Sequence, residues 1–357
     1  MQQSERLYTP GPTPLPPAVY DAAALPIIYH RSAEFTAIFR EFSTSLQKVF
    51  LTSMPVITLM SSGTGAAEAA VMNLCGEHKK GATIANGRFG ERWGTLMERY
   101  GMDVCTYKTE WGKAPDAEEI EVFLRNNPDL DMIWLVHCET SSGTLTDIQK
   151  LLPIIRQNSN ALVCIDGITA IGVHECRMDE WGIDVLITAS QKGLMSPPGL
   201  AFIALSQKAW DIVEKSSPKG IYFDLCKARE AYIKGTTPWT PAVTLVRATY
   251  TALQMIEQEG LENVWERHAK TAQRLRDFFM KNNISLFSQS PCNALTALAM
   301  PQQAHIIANK LLEHNIRVAR GQKHLENDII RVAHMGWFHE QDSIAIEQAF
   351  LEIIHHT

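Results

Sequence analysis

The sequence is short of several features that would each point to a function. It has no basic run: 33 lysines and arginines face 39 acidic side chains, for a net charge of −6 and a pI near 6.1. Such a balance does not suit nucleic acid or an anionic membrane surface, so neither partner is expected. No window approaches the ~20 consecutive apolar residues that span a bilayer, and the start MQQSERLYTP has no apolar signal core. The seven cysteines stand singly, at 75, 105, 138, 164, 176, 226 and 292, and form no CxxC pair. A dispersed, odd set in a chain of this length reads as reduced thiols; a cytoplasmic location and no metal site are expected. Internal repeats and low-complexity tracts are lacking as well.

What remains is ordinary globular material in quantity. The chain has 357 residues, 45% apolar and 20% charged, enough apolar surface to offset chain entropy. That length exceeds what one core usually fills, so a large domain with a smaller partner is expected. Residues 8–17, YTPGPTPLPP, carry five prolines and read as an extended arm, not as helix or central strand. From residue 55, short apolar runs alternate with amphipathic stretches. PVITLM (55–60), ATIAN (82–86), MIWLVHC (132–138), ALVCIDG (161–167), IDVLITAS (183–190) and LAFIAL (200–205) read as buried strands. Helices are expected over 66–74, 91–100 and 147–158. The pattern predicts an α/β fold with a mostly parallel sheet covered on both faces. Ligands then bind along the edge formed by the strand ends. A long helical region (244–281) leads to a smaller α/β unit, with the change placed near 255.

Three pieces carry chemistry. SSGTGAAEAA (61–70) lies between a strand and a helix, where small residues and the free N–H groups of a first helical turn make a phosphate cradle. Ser62 and Thr64 add hydroxyls. A dinucleotide fingerprint would need a third small residue where Glu68 stands, and the Gly-Lys-Ser/Thr of a P-loop is absent. Asp166 ends the strand ALVCID, and Lys192 follows ITASQ in a Gly/Pro loop. A lysine there can form a Schiff base with an aldehyde, and a carboxylate there can hold a pyridine nitrogen protonated. Taken singly, these residues read equally as a tight turn, a capping aspartate and a solvated lysine. Together they match the three anchors of pyridoxal 5′-phosphate.

The chain resembles the class V, fold-type I pyridoxal-phosphate aminotransferases of the alanine–glyoxylate / serine–pyruvate type, nearly end to end. The resemblance rests on YTPGPTPLPP, HRSAEF (30–35), MSSGTGAAEAA (60–70), ANGRFGERW (85–93), HCETSSG (137–143), CIDGITAIG (164–172), DVLITASQKGLMSPPG (184–199) and IIRVAHMG (329–336). It implies an arm (1–16), a large cofactor-binding domain (17–255) and a small C-terminal domain (256–357). By the same resemblance Lys192 holds the cofactor and shuttles a proton, and Asp166 pairs with its ring nitrogen. Ser62, Gly63, Thr64 and Gln191 would hold the phosphate. Phe89 would stack on the ring, and Thr140 would sit beside it. Arg331 lies in an apolar strand, where an arginine needs an anion; the family uses this position to clamp the substrate α-carboxylate. Thr237 and Thr240 resemble the segment that reaches a neighbouring subunit's phosphate, which implies a homodimer with shared sites.

His30 and Arg31 fit two roles: reading a substrate phosphate, as in phosphoserine aminotransferases, or fixing the arm at the dimer interface. The expected activity is transfer of an amino group from a small amino acid of the alanine or serine type to a 2-oxo acid. A phosphoserine aminotransferase is the alternative, followed by a protein of this fold without catalysis. A cysteine desulfurase is disfavoured, because Phe89 stands where a histidine is usual and no loop cysteine fits.

Overall fold

The computed structural model describes residues 5–75, 79–216 and 220–355. Its strands are β1 (Arg6–Tyr8), β2 (Val56–Leu59), β3 (Lys80–Ala85), β4 (Asp103–Lys108), β5 (Met132–Val136), β6 (Cys138–Glu139), β7 (Thr144–Leu145), β8 (Leu162–Asp166), β9 (Val185–Ala189), β10 (Ala201–Leu205), β11 (Leu295–Ala299), β12 (Ile316–Arg320) and β13 (Ile329–Ala333).

Seven of them form one sheet in the order β2-β10-β9-β8-β5-β3-β4. Only β10 runs against its neighbours; the pairs β9·β8, β8·β5, β5·β3 and β3·β4 are parallel. Alternate residues of each strand feed opposite cores. Val163 and Ile165 of β8 join one apolar cluster, and Leu162 and Cys164 join the other. Burial on both faces is what turns these strands into continuous apolar runs. The α/β fold expected from the sequence is therefore the one observed, and the parallel strands end along one edge of the sheet.

Three of the departures from the sequence-based elements matter most here. The helix after β2 is Gly63–Leu74, three residues longer at its start than expected, so the small-residue segment is its first turn. β4 and β12 were not anticipated; both are partly exposed and lack an unbroken apolar run. The long helical region is two helices, Val243–Glu259 and Leu261–Lys281, broken at Gly260, whose φ of +87° suits glycine. Position 255 lies inside the first of them.

A second sheet, β1-β12-β13-β11, sits over its own core of Phe279, Leu298, Ile330 and Phe350. The arm supplies its edge strand: β1 pairs in parallel with β12, Tyr8 opposite Val318. Beyond Tyr8 the prolines take the arm back toward the large sheet. Thr13 N–H donates to the Gln191 carbonyl at 3.2 Å.

Candidate active site

At the carboxyl edge of the large sheet, beyond β2, β5, β8 and β9, lies a cleft of about 140 Å³. It is lined by eight of the residues singled out in the sequence: Ser62, Gly63, Thr64, Phe89, Thr140, Asp166, Gln191 and Lys192. The sheet topology accounts for their meeting. Asp166 is the last residue of β8, Lys192 follows the end of the adjacent β9 by three residues, and Ser62 caps the helix after β2.

The cradle has open donors. Ser62 is the N-cap residue, yet its hydroxyl makes no capping bond. None of the described hydrogen bonds takes up the N–H groups of Gly63 and Thr64, which have no intrahelical partner by geometry. The helix start therefore faces the cleft with free donors and the positive end of its dipole. At Gly63 the backbone packs closely: a Cβ there would lie 2.6 Å from Ile168 Cδ1, in the cleft wall, and that side chain would have to shift.

Asp166 is buried at 3% exposure. Its Oδ2 accepts from Trp93 Nε1 at 3.1 Å and its Oδ1 from the Ile168 N–H at 3.1 Å. Arg92 Nη2 stands 4.0 Å from Oδ2. Burial pushes the carboxyl up, and Arg92, the Ile168 N–H and Trp93 pull it back. Trp93 is itself fixed by stacking on Trp134 of β5, centroids 3.6 Å apart and planes 7° from parallel. Arg92 also donates to Thr64 Oγ1 at 3.0 Å and lies over the Phe89 ring, 5.0 Å from its centroid.

Phe89 is held from below by Glu139. One oxygen of that buried carboxylate accepts from the N–H groups of Phe89 (2.9 Å) and Gly90 (3.0 Å), the other from Ser141 N–H (3.0 Å) and Oγ (2.6 Å). A carboxylate at a helix N-terminus is favoured by the dipole, and here it sets where the Phe89 ring stands.

Lys192 Nζ donates to the Pro10 carbonyl, and Thr13 Oγ1 donates to the Lys192 carbonyl at 3.2 Å. The arm thus passes directly over the lysine. At Gly11, with φ of +98°, a Cβ would lie 2.6 Å from Lys192 Nζ, so this crossing admits only glycine. Burial and then the Arg331 charge lower the amine to about 8, against a smaller opposite effect of Asp166. A lowered pKa leaves more of the amine neutral and nucleophilic near neutrality. Competitive reductive methylation of the cofactor-free protein should therefore show Lys192 reacting with a midpoint near pH 8. A midpoint above about pH 10, where an unburied lysine titrates, would refute the burial argument.

Arg331, in β13, is 5% exposed. Its Nη1 donates to the Thr140 carbonyl at 2.9 Å; its Nε and Nη2 donate to the Arg320 carbonyl at 3.0 and 2.7 Å. Among the described residues no carboxylate lies within ion-pair distance of it. Four other expected residues stand apart from this cleft. Thr237 is buried and donates to the Trp239 carbonyl at 2.7 Å, Thr240 is exposed, and His30 and Arg31 lie at the surface beside Tyr29.

Arg92, Trp93, Glu139 and the Pro10 carbonyl were not singled out in the sequence. Phe89, Arg92 and Trp93 are spaced i, i+3, i+4 on one helix, and that spacing was a readable sign of a shared face. The carbonyl of an extended arm offers no such sign.

The profile of the family described as Aminotransferase class-V matches residues 7–335. The soluble hydrogenase 42 kDa subunit of Anabaena cylindrica is 34% identical, over 99% of this chain and 95% of its own. The serine–glyoxylate aminotransferase of Methylorubrum extorquens is 31% identical, over 94% of this chain and 87% of its own. Among solved structures, an alanine–glyoxylate aminotransferase from Nostoc sp. superposes with a TM-score of 0.94 at 28% identity, covering 99% of this chain and 96% of its own.

Proposed function

The chain belongs to the class-V aminotransferase family and is an aminotransferase, and on that premise we propose that it moves an amino group from a small amino acid to a small 2-oxo acid of the glyoxylate or pyruvate type. The observation that carries this reading is the joint placement of Lys192, Asp166 and the open N–H groups of Gly63 and Thr64 in one cleft. The serine–glyoxylate and alanine–glyoxylate names of its relatives support the substrate class.

The cleft fits pyridoxal 5′-phosphate on two counts. Its helix start presents unpartnered donors to a phosphate, and a buried carboxylate stands where a ring nitrogen needs one. Bound there, the cofactor would draw electrons away from the substrate's α-carbon. Ser62, Gly63, Thr64 and Gln191 would hold its phosphate, Phe89 would cover its ring, and Asp166 would take its ring nitrogen. Lys192 Nζ would hold its aldehyde and, once released, carry the proton to and from the α-carbon. Trp93 and the Ile168 N–H fix the Asp166 carboxylate, so that charge is in place without reorganisation.

Arg331 would bind the substrate α-carboxylate with donors its carbonyl partners leave free. Its bond to the Thr140 carbonyl ties that guanidinium to the cleft wall. Arg331→Lys is expected to raise KM for amino donor and 2-oxo acceptor alike by about tenfold or more, as loss of a charge-assisted, two-pronged contact does. Initial-rate kinetics with both substrates check this. An unchanged KM for both would remove Arg331 from the site.

A phosphoserine donor is the weaker reading, because His30 and Arg31 stand outside the cleft of their own chain. Their place in one exposed stretch with Ile27 and Tyr29 supports a homodimer in which this surface, with Thr237 and Thr240, meets a second copy. Light scattering reading twice 40.0 kDa tests that assembly. No described helix is long and apolar enough to cross a membrane, and all seven cysteines are free thiols, which supports a cytoplasmic location. The activity itself is tested by mixing the cofactor-loaded protein with alanine, serine, aspartate or phosphoserine. Loss of the visible absorbance with a small donor, and its return on adding glyoxylate, is expected. A response to phosphoserine alone would overturn the assignment of the donor.

A further inference from the structure

Beside the cleft lies a group of side chains that amino transfer leaves unused. Cys138, His174 and Cys292 are all buried, and their sulfur and ring-nitrogen atoms lie within 4.8 Å of one another. They come from β6, from the turns after β8 and from the segment before β11. One hairpin holds the two cysteines: Cys138 pairs with Leu145 across it, and the Cys292 N–H donates to the carbonyl of Gly143 in its turn, at 2.9 Å.

A metal site does not fit this group. The Asn293 N–H donates to His174 Nε2 at 2.8 Å. A neutral imidazole that accepts at Nε2 carries its proton on Nδ1, so neither ring nitrogen keeps a lone pair for a cation. Inert apolar packing does not fit either, because a guanidinium is buried alongside. Arg276 is 8% exposed; its Nη2 donates to the Cys292 carbonyl and to Asn293 Oδ1 at 3.0 Å, and its Nε has no partner. Among the described residues it has no carboxylate within ion-pair distance, and a buried cation requires an anion. Thiolate character at the two sulfurs, which act on its charge more strongly than Asp277 does, meets that need. Burial by itself would raise the Cys292 thiol, but hydrogen bonds with Cys138 and His174 hold it well below its ordinary value. Burial, then the bond to Cys292, holds Cys138 well above.

We propose that Cys138 and Cys292 form a redox-active dithiol, which hydrogen peroxide or a small organic peroxide converts to an intramolecular disulfide. Cys138 lines the cofactor cleft and is the sulfur an entering peroxide meets. Cys292 is the stronger acid of the pair. The hydrogen bond between the sulfurs nonetheless lets the Cys138 proton pass to Cys292, whose S–H donates to the Leu295 carbonyl at 3.7 Å, and the minor form so produced has Cys138 as thiolate. That thiolate attacks the terminal peroxide oxygen; the O–O bond breaks, hydroxide (alkoxide from an organic peroxide) leaves and Cys138 becomes a sulfenic acid. Cys292 then attacks the Cys138 sulfur, the S–O bond breaks and water leaves with the Cys292 proton. Two thiol sulfurs are oxidised and one peroxide is reduced to water and hydroxide or alkoxide. The sulfurs close from at most 4.8 Å to about 2.05 Å.

The test uses the cofactor-loaded protein as purified. It is treated with hydrogen peroxide, quenched, unfolded and alkylated, and its peptides are mapped by mass. Two of the seven thiols should disappear together, in a linked peptide pair bearing Cys138 and Cys292 that is lighter by two hydrogens, and dithiothreitol should restore both. In Cys292→Ala, dimedone should trap Cys138 as the sulfenic acid. The wild-type map decides the proposal if that variant does not fold. Loss of the part-exposed Cys105 and Cys226 ahead of the buried pair would overturn it. So would survival of Cys138 and Cys292 as thiols, or a stoichiometric metal in the fresh protein.

Discussion

Replacing Lys192 by alanine is expected to abolish multiple turnover while leaving a folded protein. The side chain stands at the cleft wall, its Nζ bonded to the Pro10 carbonyl and its charge acted on by Arg331 from one side and Asp166 from the other. Among the described residues no other lysine lines the cleft, so none of them offers a second amine in position to take the α-carbon proton. Losing a positioned acid–base group alone costs ~10²–10⁴-fold, and Lys192 is also the proposed covalent anchor, so the loss should reach the upper end or exceed it. Fold is not at risk: the alanine removes a buried amine whose ionised form burial already disfavours. The check is turnover with alanine and glyoxylate, paired with a thermal melt. Wild-type-like multiple turnover would falsify the assignment of Lys192.

Asp166→Asn should produce the second largest loss, through charge with almost no change of shape. Trp93 Nε1 donates to one carboxylate oxygen and the Ile168 N–H to the other, so the asparagine keeps the shape and accepts from one of them while its NH₂ faces the other. What disappears is the negative charge proposed to face the ring nitrogen, in a site where Arg92 exerts the largest counter-charge effect on it. Removing a preorganised electrostatic group of this kind typically costs about 10²-fold or more, or ~2.7 kcal/mol. The loss should fall on the rate of a single half-reaction far more than on the dissociation constant of the amino acid, and stopped-flow absorbance separates the two. A rate within about twofold of wild type, less than ~0.5 kcal/mol, would make Asp166 a structural residue.

Trp93 links these two expectations to the fold. Its indole is sandwiched against Trp134 of β5 and donates to Asp166 of β8, so a residue of the helix Arg88–Arg99 sets the carboxylate on a neighbouring strand. Glu139 does the same for Phe89. The side chains proposed to touch the cofactor are thus held by buried neighbours with few alternatives, which is how a site keeps its geometry through a reaction.

The sequence by itself determined the strands that are buried on both faces, the cradle at 62–64, the strand-end Asp166 and the loop Lys192. Each is written in a short window: an apolar run, a cluster of small residues, or a charge placed where an apolar run stops. It missed β4 and β12, because a half-exposed strand mixes polar and apolar residues and loses the run that marks the others. Tertiary structure alone decided the rest. Arg92 reaches Thr64 and Asp166, Lys192 meets the carbonyl of Pro10, and Cys138 comes within 4.8 Å of the sulfur of Cys292. These partners lie far apart along the chain. They meet only because strand pairing and the return of the arm bring distant segments to one sheet edge, and that long-range pairing leaves no periodicity in the sequence to read.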